Sequence, residues 1–254
     1  MCRHLAYLGQ EVPLGRILTD PEHSLVRQAW QPRRQRSGTI NADGFGVGWY
    51  AEEDPVPARY RRAGPVWGDL TFADLARVVR SGAVLAAVRD ATLAGADGEA
   101  AAAPFASGPW LFSHNGAVRD WPDSLSDLAG GLPPHELLQL AARTDSALLW
   151  ALVLHRLRQG DDLGTALAET VRETAGAAPG SRLNLLLTDG TTIAATAWGD
   201  SLWYLADGRT AGGRVVVASE PYDDDPLWCE VPERTLLTAG RTRVVLTPLK
   251  ENCP

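Results

Sequence analysis

The sequence predicts an α+β protein in which two sheets pack together and helices lie outside. Three observations lead there. Short apolar or alternating segments dominate 44–118, leucines at helical spacing fill the middle, and strand-like segments return from 182 to 221. The 254 residues show no internal repeat and no long linker, and the length suffices for a sizeable core.

GFGVGWYA (44–51) reads as a buried strand whose three glycines mark close approach of another backbone or a ligand. The alternating ARYRRA (58–63) supplies its strand partner. TFADLARVVRSG (71–82) reads as a helix ended by Gly82. AVLAAVR (83–89) is an apolar strand that stops at an arginine, and a loop rich in Ala, Gly and Pro follows to 109. WLFSHNGAV (110–118) reads as a strand with a turn at Asn115-Gly116. Helix-spaced leucines occupy 134–142 and 145–159, with Gly160 as the stop, and a third helix covers 163–176, ending at Gly176. Strands follow at 182–190, 191–200, 202–207 and 213–221, with hairpin dipeptides at Asp189-Gly190 and Asp207-Gly208.

Composition narrows the function. Hydrophobic residues at 45% and charged ones at 22% fit an ordinary soluble globular protein. A net charge of −7 argues against a nucleic-acid partner, and a single lysine, Lys250, leaves no lysine-rich patch for membranes. Cys2, Cys229 and Cys253 are too few and too scattered for a disulfide framework. The five histidines show no zinc-type spacing, so no metal and no cofactor is expected. Arg3, His4, Gln10 and Glu11 break any signal-peptide pattern, and no window of about 20 apolar residues exists. A cytoplasmic location is the expectation, with an N-terminus that exposes residue 2 once Met1 is removed.

That position matters because residue 2 is a cysteine. A small apolar side chain that packs somewhere would account for a cysteine, but not for this place in the chain. A free α-amino group beside the thiol, which ordinarily titrates at about 7.7–8.0, can take the thiol proton and return one to a leaving nitrogen. Attack on an amide makes an oxyanion that needs two fixed donors, and the Asn115 amide and Gly116 N–H can supply both. A type I′ hairpin turn is the competing account of Asn-Gly. His114 beside them reads as an oriented structural side chain rather than a base. Arg89, at a strand end, suits a carboxylate, and Thr92 adds a hydroxyl. Asp145, at a helix start, can pair with an ammonium group, or it or Thr144 can serve as an ordinary N-cap. Arg89 and Asp145 together would clasp the two α-groups of a γ-glutamyl substrate.

The ordered set Cys2-Arg3, NADGFGVGWY (41–50), Arg89 with Ala91-Thr92, HNG (114–116), Thr144-Asp145 and ASEP (218–221) resembles the class II glutamine amidotransferase family, of the N-terminal-nucleophile fold. The resemblance implies a four-layer αββα sandwich of two mostly antiparallel sheets, formed by one domain over 2–254. It also implies Cys2 as nucleophile, Asn115 and Gly116 as oxyanion hole, and Arg89, Thr92, Asp145 and His114 at the glutamyl end. Where many members read Arg-Trp-Ala-Thr-His-Gly, this chain has Arg89-Asp90-Ala91-Thr92-Leu93-Ala94. That departure, with 87–105 and the tail 218–237, is more similar to the ergothioneine-biosynthesis branch. That branch removes glutamate from γ-glutamyl-hercynylcysteine sulfoxide.

The expectation is therefore an amidohydrolase acting on a small γ-glutamyl substrate. A glutaminase subunit feeding ammonia to a separate synthase and a non-catalytic binding protein on the same scaffold are the alternatives. The sequence does not specify the oligomeric state. DDD (223–225) reads as a solvated turn rather than a metal site, and RRQR (33–36) as a solvated loop.

Overall fold

The computed structural model of the chain describes residues 2–35, 38, 40–91, 98–209 and 212–250. It opens with strand β1 (Arg3–Pro13) and two short helices, α1 (Gly15–Leu18) and α2 (Leu25–Gln28). A hairpin of β2 (Phe45–Ala51) and β3 (Asp54–Arg62) follows, then α3 (Leu70–Val78) and β4 (Arg80–Val88). Next come β5 (Phe105–Ser107), β6 (Trp110–Ala117), α4 (Ser126–Gly130), α5 (Pro134–Leu137), α6 (Asp145–Gln159) and α7 (Leu163–Ala177). The last third holds β7 (Arg182–Thr188), β8 (Ile193–Ala197), β9 (Trp203–Asp207), β10 (Arg214–Ala218), β11 (Trp228–Glu230), β12 (Thr235–Gly240) and β13 (Arg243–Pro248).

These strands make two sheets, ordered β11-β9-β10-β1-β4-β2-β3 and β13-β12-β8-β7-β6-β5. The strand pairings are antiparallel. Alternation along each strand sorts side chains between layers. On β1, Leu5 and Tyr7 pack outward with Ile17, Leu18, Leu25, Phe72 and Ala76 of α1–α3. Ala6 and Leu8 point the other way, into a layer shared with Leu111, Leu186 and Ala195 of the second sheet. That sheet turns Phe112, Leu185 and Leu187 outward against α6 and α7. The order is helices, sheet, sheet, helices: the expected four layers.

Several local expectations need correction. Helix α3 ends at Val78, and Gly82 lies inside β4, where a Cβ would stand 2.8 Å from the Gly9 carbonyl oxygen. Helix α7 runs past Gly176 to Ala177, and the 134–142 segment is helical only over 134–137. Gly160 does stop α6, in the left-handed region at φ 102°. The Asp207-Gly208 connection is six residues long rather than a two-residue turn, and 210 and 211 fall outside the described residues. Strand β5 emerges from the stretch read as loop, and β1 and β11–β13 have no counterpart among the expected strands.

Asn115-Gly116 is the most instructive correction. There is no turn: both residues stay in β6, opposite Asn184 and Leu183 of β7. Gly116 is glycine because β7 comes so close that a Cβ would sit 1.9 Å from the Arg182 carbonyl oxygen. Gly46 of β2 follows the same logic, as expected: a Cβ there would lie 2.4 Å from the Ala103 carbonyl oxygen, whereas at Gly48 the neighbour is the Leu111 side chain, at 2.6 Å.

Candidate active site

Three strand ends and one helix start converge on a cavity of about 220 Å³, with Cys2, Arg89, Gly116 and Asp145 on its wall. Register explains the meeting. Arg3 pairs with Val88, and Val88 pairs with Phe45, so the start of β1 lies beside the end of β4. The exit of β4 is clamped from the NADGFG stretch: Asp43 N–H donates to the Arg89 carbonyl at 2.9 Å, and Asp43 Oδ2 accepts Ala91 N–H at 2.8 Å. Arg89 Nη1 donates back to the Asp43 carbonyl at 3.1 Å.

Cys2 is half-buried, and its Sγ stands 3.9 Å from the Asp90 carbonyl oxygen. Burial pushes the thiol above its ordinary range. The Asp90 contact and Arg89 pull it back, and Asp145 adds to the rise. The Cys2 carbonyl accepts Arg3 Nε–H at 2.9 Å. Arg3 is fully buried against Glu220, with Nη1 and Oε2 3.9 Å apart. Glu220 in turn accepts the backbone N–H groups of Arg33 and Arg34 at 2.9 and 2.7 Å. Ser219 Oγ accepts His4 N–H at 3.0 Å, so ASEP is stitched to the first residues of the chain.

Thr144 takes the cap of α6, its Oγ1 accepting Ala147 N–H at 3.3 Å. Asp145 is thereby not the cap and faces the cavity, where Oδ2 accepts Val118 N–H at 2.9 Å and Oδ1 accepts Ser146 N–H at 2.7 Å. Asn115 is fully buried, and neither its Oδ1 nor its Nδ2 has a hydrogen-bond partner among the described residues. Leaving such a group unpaired costs about 1–3 kcal/mol, so the amide can gain by bonding a ligand oxygen.

His114 stands behind the cavity rather than on its wall. Its ring bridges Ser146 Oγ at 3.0 Å and the Arg182 carbonyl at 2.9 Å, which ties β6 to the first turn of α6 and to β7. His4 is also interior, with Nδ1 3.3 Å from Ser113 Oγ. Burial, then the Arg3 and His114 charges, lower its pKa to about 3, so it is neutral at working pH. Neither ring hydrogen-bonds the Cys2 thiol. Thr92 lies outside the described residues. The wall also holds Trp121 and Arg143, which no sequence pattern singles out. They follow a strand end and precede a helix start, positions that only the tertiary fold relates to Cys2.

The acidic run 223–225 is structural. Asp223 Oδ1 accepts Trp228 Nε1–H at 2.7 Å, Asp225 Oδ1 accepts Leu227 N–H at 2.9 Å, and Asp224 pairs with Arg33 at 3.2 Å. Of the RRQR stretch, Arg33 and Arg34 are likewise anchored, Arg34 over the Trp203 ring, and Arg36 lies outside the described residues. Glu22, His23 and Asp224 bring ligand-type atoms within 4.8 Å of one another, but they are not on the Cys2 cavity wall. Among the described residues no helix is long and apolar enough to cross a membrane.

Comparison with known proteins agrees with this fold. The family model for class-II glutamine amidotransferases matches residues 17–211. A Mycolicibacterium smegmatis protein named gamma-glutamyl-hercynylcysteine sulfoxide hydrolase is 44% identical, over 98% of this chain and 100% of its own. One of the same name from Mycobacterium tuberculosis is 41% identical, over 98% of this chain and 97% of its own. A solved Silicibacter pomeroyi structure, titled a glutamine aminotransferase class-II domain protein, superposes with a TM-score of 0.70 at 26% identity, covering 98% of this chain and 100% of that one. The chain belongs to the class-II glutamine amidotransferase family.

Proposed function

We propose that this chain hydrolyses a γ-glutamyl amide through Cys2, releasing glutamate from γ-glutamyl-hercynylcysteine sulfoxide. The observation that carries the reading is the shared 220 Å³ cavity, where a thiol, a guanidinium and a carboxylate converge. The name borne by relatives at 41–44% identity supplies the substrate.

In this mechanism Met1 is removed, and the bared α-amine of Cys2 takes the thiol proton. Arg89 binds the substrate α-carboxylate and Asp145 its α-ammonium, which sets the γ-carbonyl carbon over Sγ. Attack forms the C–S bond and places negative charge on the carbonyl oxygen. The Asn115 side-chain amide and the Gly116 N–H hold that oxyanion, and the unpartnered Asn115 amide gains the bond it lacks at rest. The C–N bond then breaks, and the α-ammonium returns its proton to the leaving nitrogen. Water attacks the thioester by the same route, breaks C–S and frees glutamate. His114 acts indirectly, by holding Ser146 and so the first turn of α6.

Cys2→Ala abolishes hydrolysis if this is correct, and retained turnover refutes it. Mass spectrometry after exposure to a γ-glutamyl electrophile is expected to label Cys2 alone. Turnover of a γ-glutamyl-cysteine-type substrate, with free glutamine left largely intact, separates this activity from ammonia supply to a synthase.

A further inference from the structure

Among the described residues β3 and β5 are edge strands of the two sheets, and Arg59 of β3 reaches the Pro104 carbonyl just before β5. There α6 closes over them and leaves a second cavity of about 210 Å³. It shares no wall residue with the Cys2 cavity. Arg59 and Arg61 reach into it from the same face of β3, and Arg158 from the last turn of α6. Phe105 and Trp150 give it an aromatic floor. Both rings belong to the core: Phe112 stacks on Trp150 at 5.3 Å and meets Phe105 at 6.4 Å, so the floor is rigid.

The charges at this cavity do not balance. The one acid on its wall, Glu136, is already spent: Oε1 accepts from Arg158 at 3.1 Å, and Oε2 lies 3.0 Å from His155 Nδ1. Among the described residues, Arg59 and Arg61 meet only carbonyls. Arg59 donates to Pro104 at 3.2 Å, and Arg61 to Ala100 and Ala102 at 3.4 and 3.1 Å. Glu99, whose charge reaches Arg61, is paired with Arg62 at 3.6 Å. Burial lowers the pKa of both arginines, and at Arg59 the neighbouring Arg61 charge lowers it further. Among the described residues, two guanidinium groups with no carboxylate hydrogen-bonded to them, Arg59 exposed and Arg61 half-buried, thus face one concavity in a protein of net charge −7.

We propose that this cavity is a binding site for a small organic anion: one carboxylate or phosphate head held by Arg59 and Arg61, and a short apolar or aromatic body on Phe105 and Trp150. A guanidinium fork suits either head group, and a ring lying on Trp and Phe suits the floor. The volume is below the roughly 300 Å³ of pockets for drug-sized ligands, which selects something no larger than a ring and its head group. The site has a physical link to the other cavity. Arg61 braces the carbonyls on either side of Ala101, and Ala101 is on the Cys2 cavity wall. Helix α6 also serves both, with Asp145 at one cavity and Trp150 at the other. An anion that recruits Arg61 therefore acts on a wall of the catalytic cavity. The inference stands apart from the catalytic reading and survives if that reading fails.

Calorimetric titration of the full chain with phenyl phosphate, benzoate and the uncharged benzyl alcohol tests it. At least one of the two anions binds about tenfold or more tighter than the alcohol, and added salt weakens it. Which anion wins identifies the head group. Arg59→Gln/Arg61→Gln weakens that binding by about tenfold or more, and Cys2→Ala leaves it unchanged. Equal binding of anion and alcohol, no binding of either anion, or binding displaced by glutamate and untouched by the arginine changes would each overturn the proposal. The comparison of anion with alcohol uses the unaltered protein, so it decides the matter even if the double variant does not fold.

Discussion

Arg3 and Glu220, both wholly withdrawn from solvent, stand 3.9 Å apart and link the start of β1 to the segment that follows β10. Arg3 bonds the Cys2 carbonyl, and Glu220 bonds the backbone of the 33–34 loop. One ion pair thus sets both the candidate nucleophile and a neighbouring loop. Removing one partner strands a buried charge. We expect Glu220→Gln to lower unfolding free energy by about 3–5 kcal/mol, read by urea denaturation. Cys2 should also lose reactivity toward a γ-glutamyl electrophile under conditions where the variant is still folded.

Asn115 gives the opposite pattern. Among the described residues its side-chain amide has no hydrogen-bond partner, so truncating it breaks no hydrogen bond of the fold. Asn115→Ala should reduce kcat by about 10²–10³-fold, as loss of an oxyanion donor does. The midpoint of thermal unfolding should hold or rise. A drop in stability with normal kcat would assign Asn115 to packing instead.

Asp145 has two duties, a cavity wall and the acceptor for Val118 N–H. Asp145→Asn keeps the acceptor and loses the charge. Its kcat/KM for a γ-glutamyl substrate should fall by about 10–100-fold, a charge-assisted bond's worth, mainly through KM. A substrate analogue lacking the α-amino group should show no such difference between parent and variant.

His4 makes stability depend on pH in a defined direction. Its pKa is about 3 in the folded chain against 6.5 for an ordinary histidine. Below 6.5 the unfolded chain takes up a proton that the folded chain refuses. The contribution of His4 is complete above 6.5 and is lost as pH falls toward 3, with a slope of about 1.4 kcal/mol per pH unit. Denaturation at pH 4, 5, 6 and 7 should show this slope in the parent and a shallower one in His4→Gln.

Much of the site can be read from residue order because its parts lie at element ends. Arg89 follows an apolar run that can only be a strand, and Asp145 follows a Thr cap, so both positions are legible locally. Asn115-Gly116 is legible as chemistry but not as geometry. Local preference favours a turn there, and only the approach of the Arg182 carbonyl makes glycine necessary inside a strand. Strand β1 is hidden in the sequence because Arg3 and His4 look like surface residues. They are buried by Glu220, Ser113 and Ser219, partners contributed by remote segments that no local pattern reveals. The second arginine cavity is equally silent in sequence, since β3, β5 and α6 meet only after both sheets have formed.

Strand β1 lies between β4 and β10. During synthesis β1 is made first, yet one flank of its berth, together with Ser219 and Glu220, is made much later. A nascent polypeptide therefore carries Cys2 unseated until β10 has been made. The candidate site gains its full support only then, so a product cut short of Glu220 is expected to be inert.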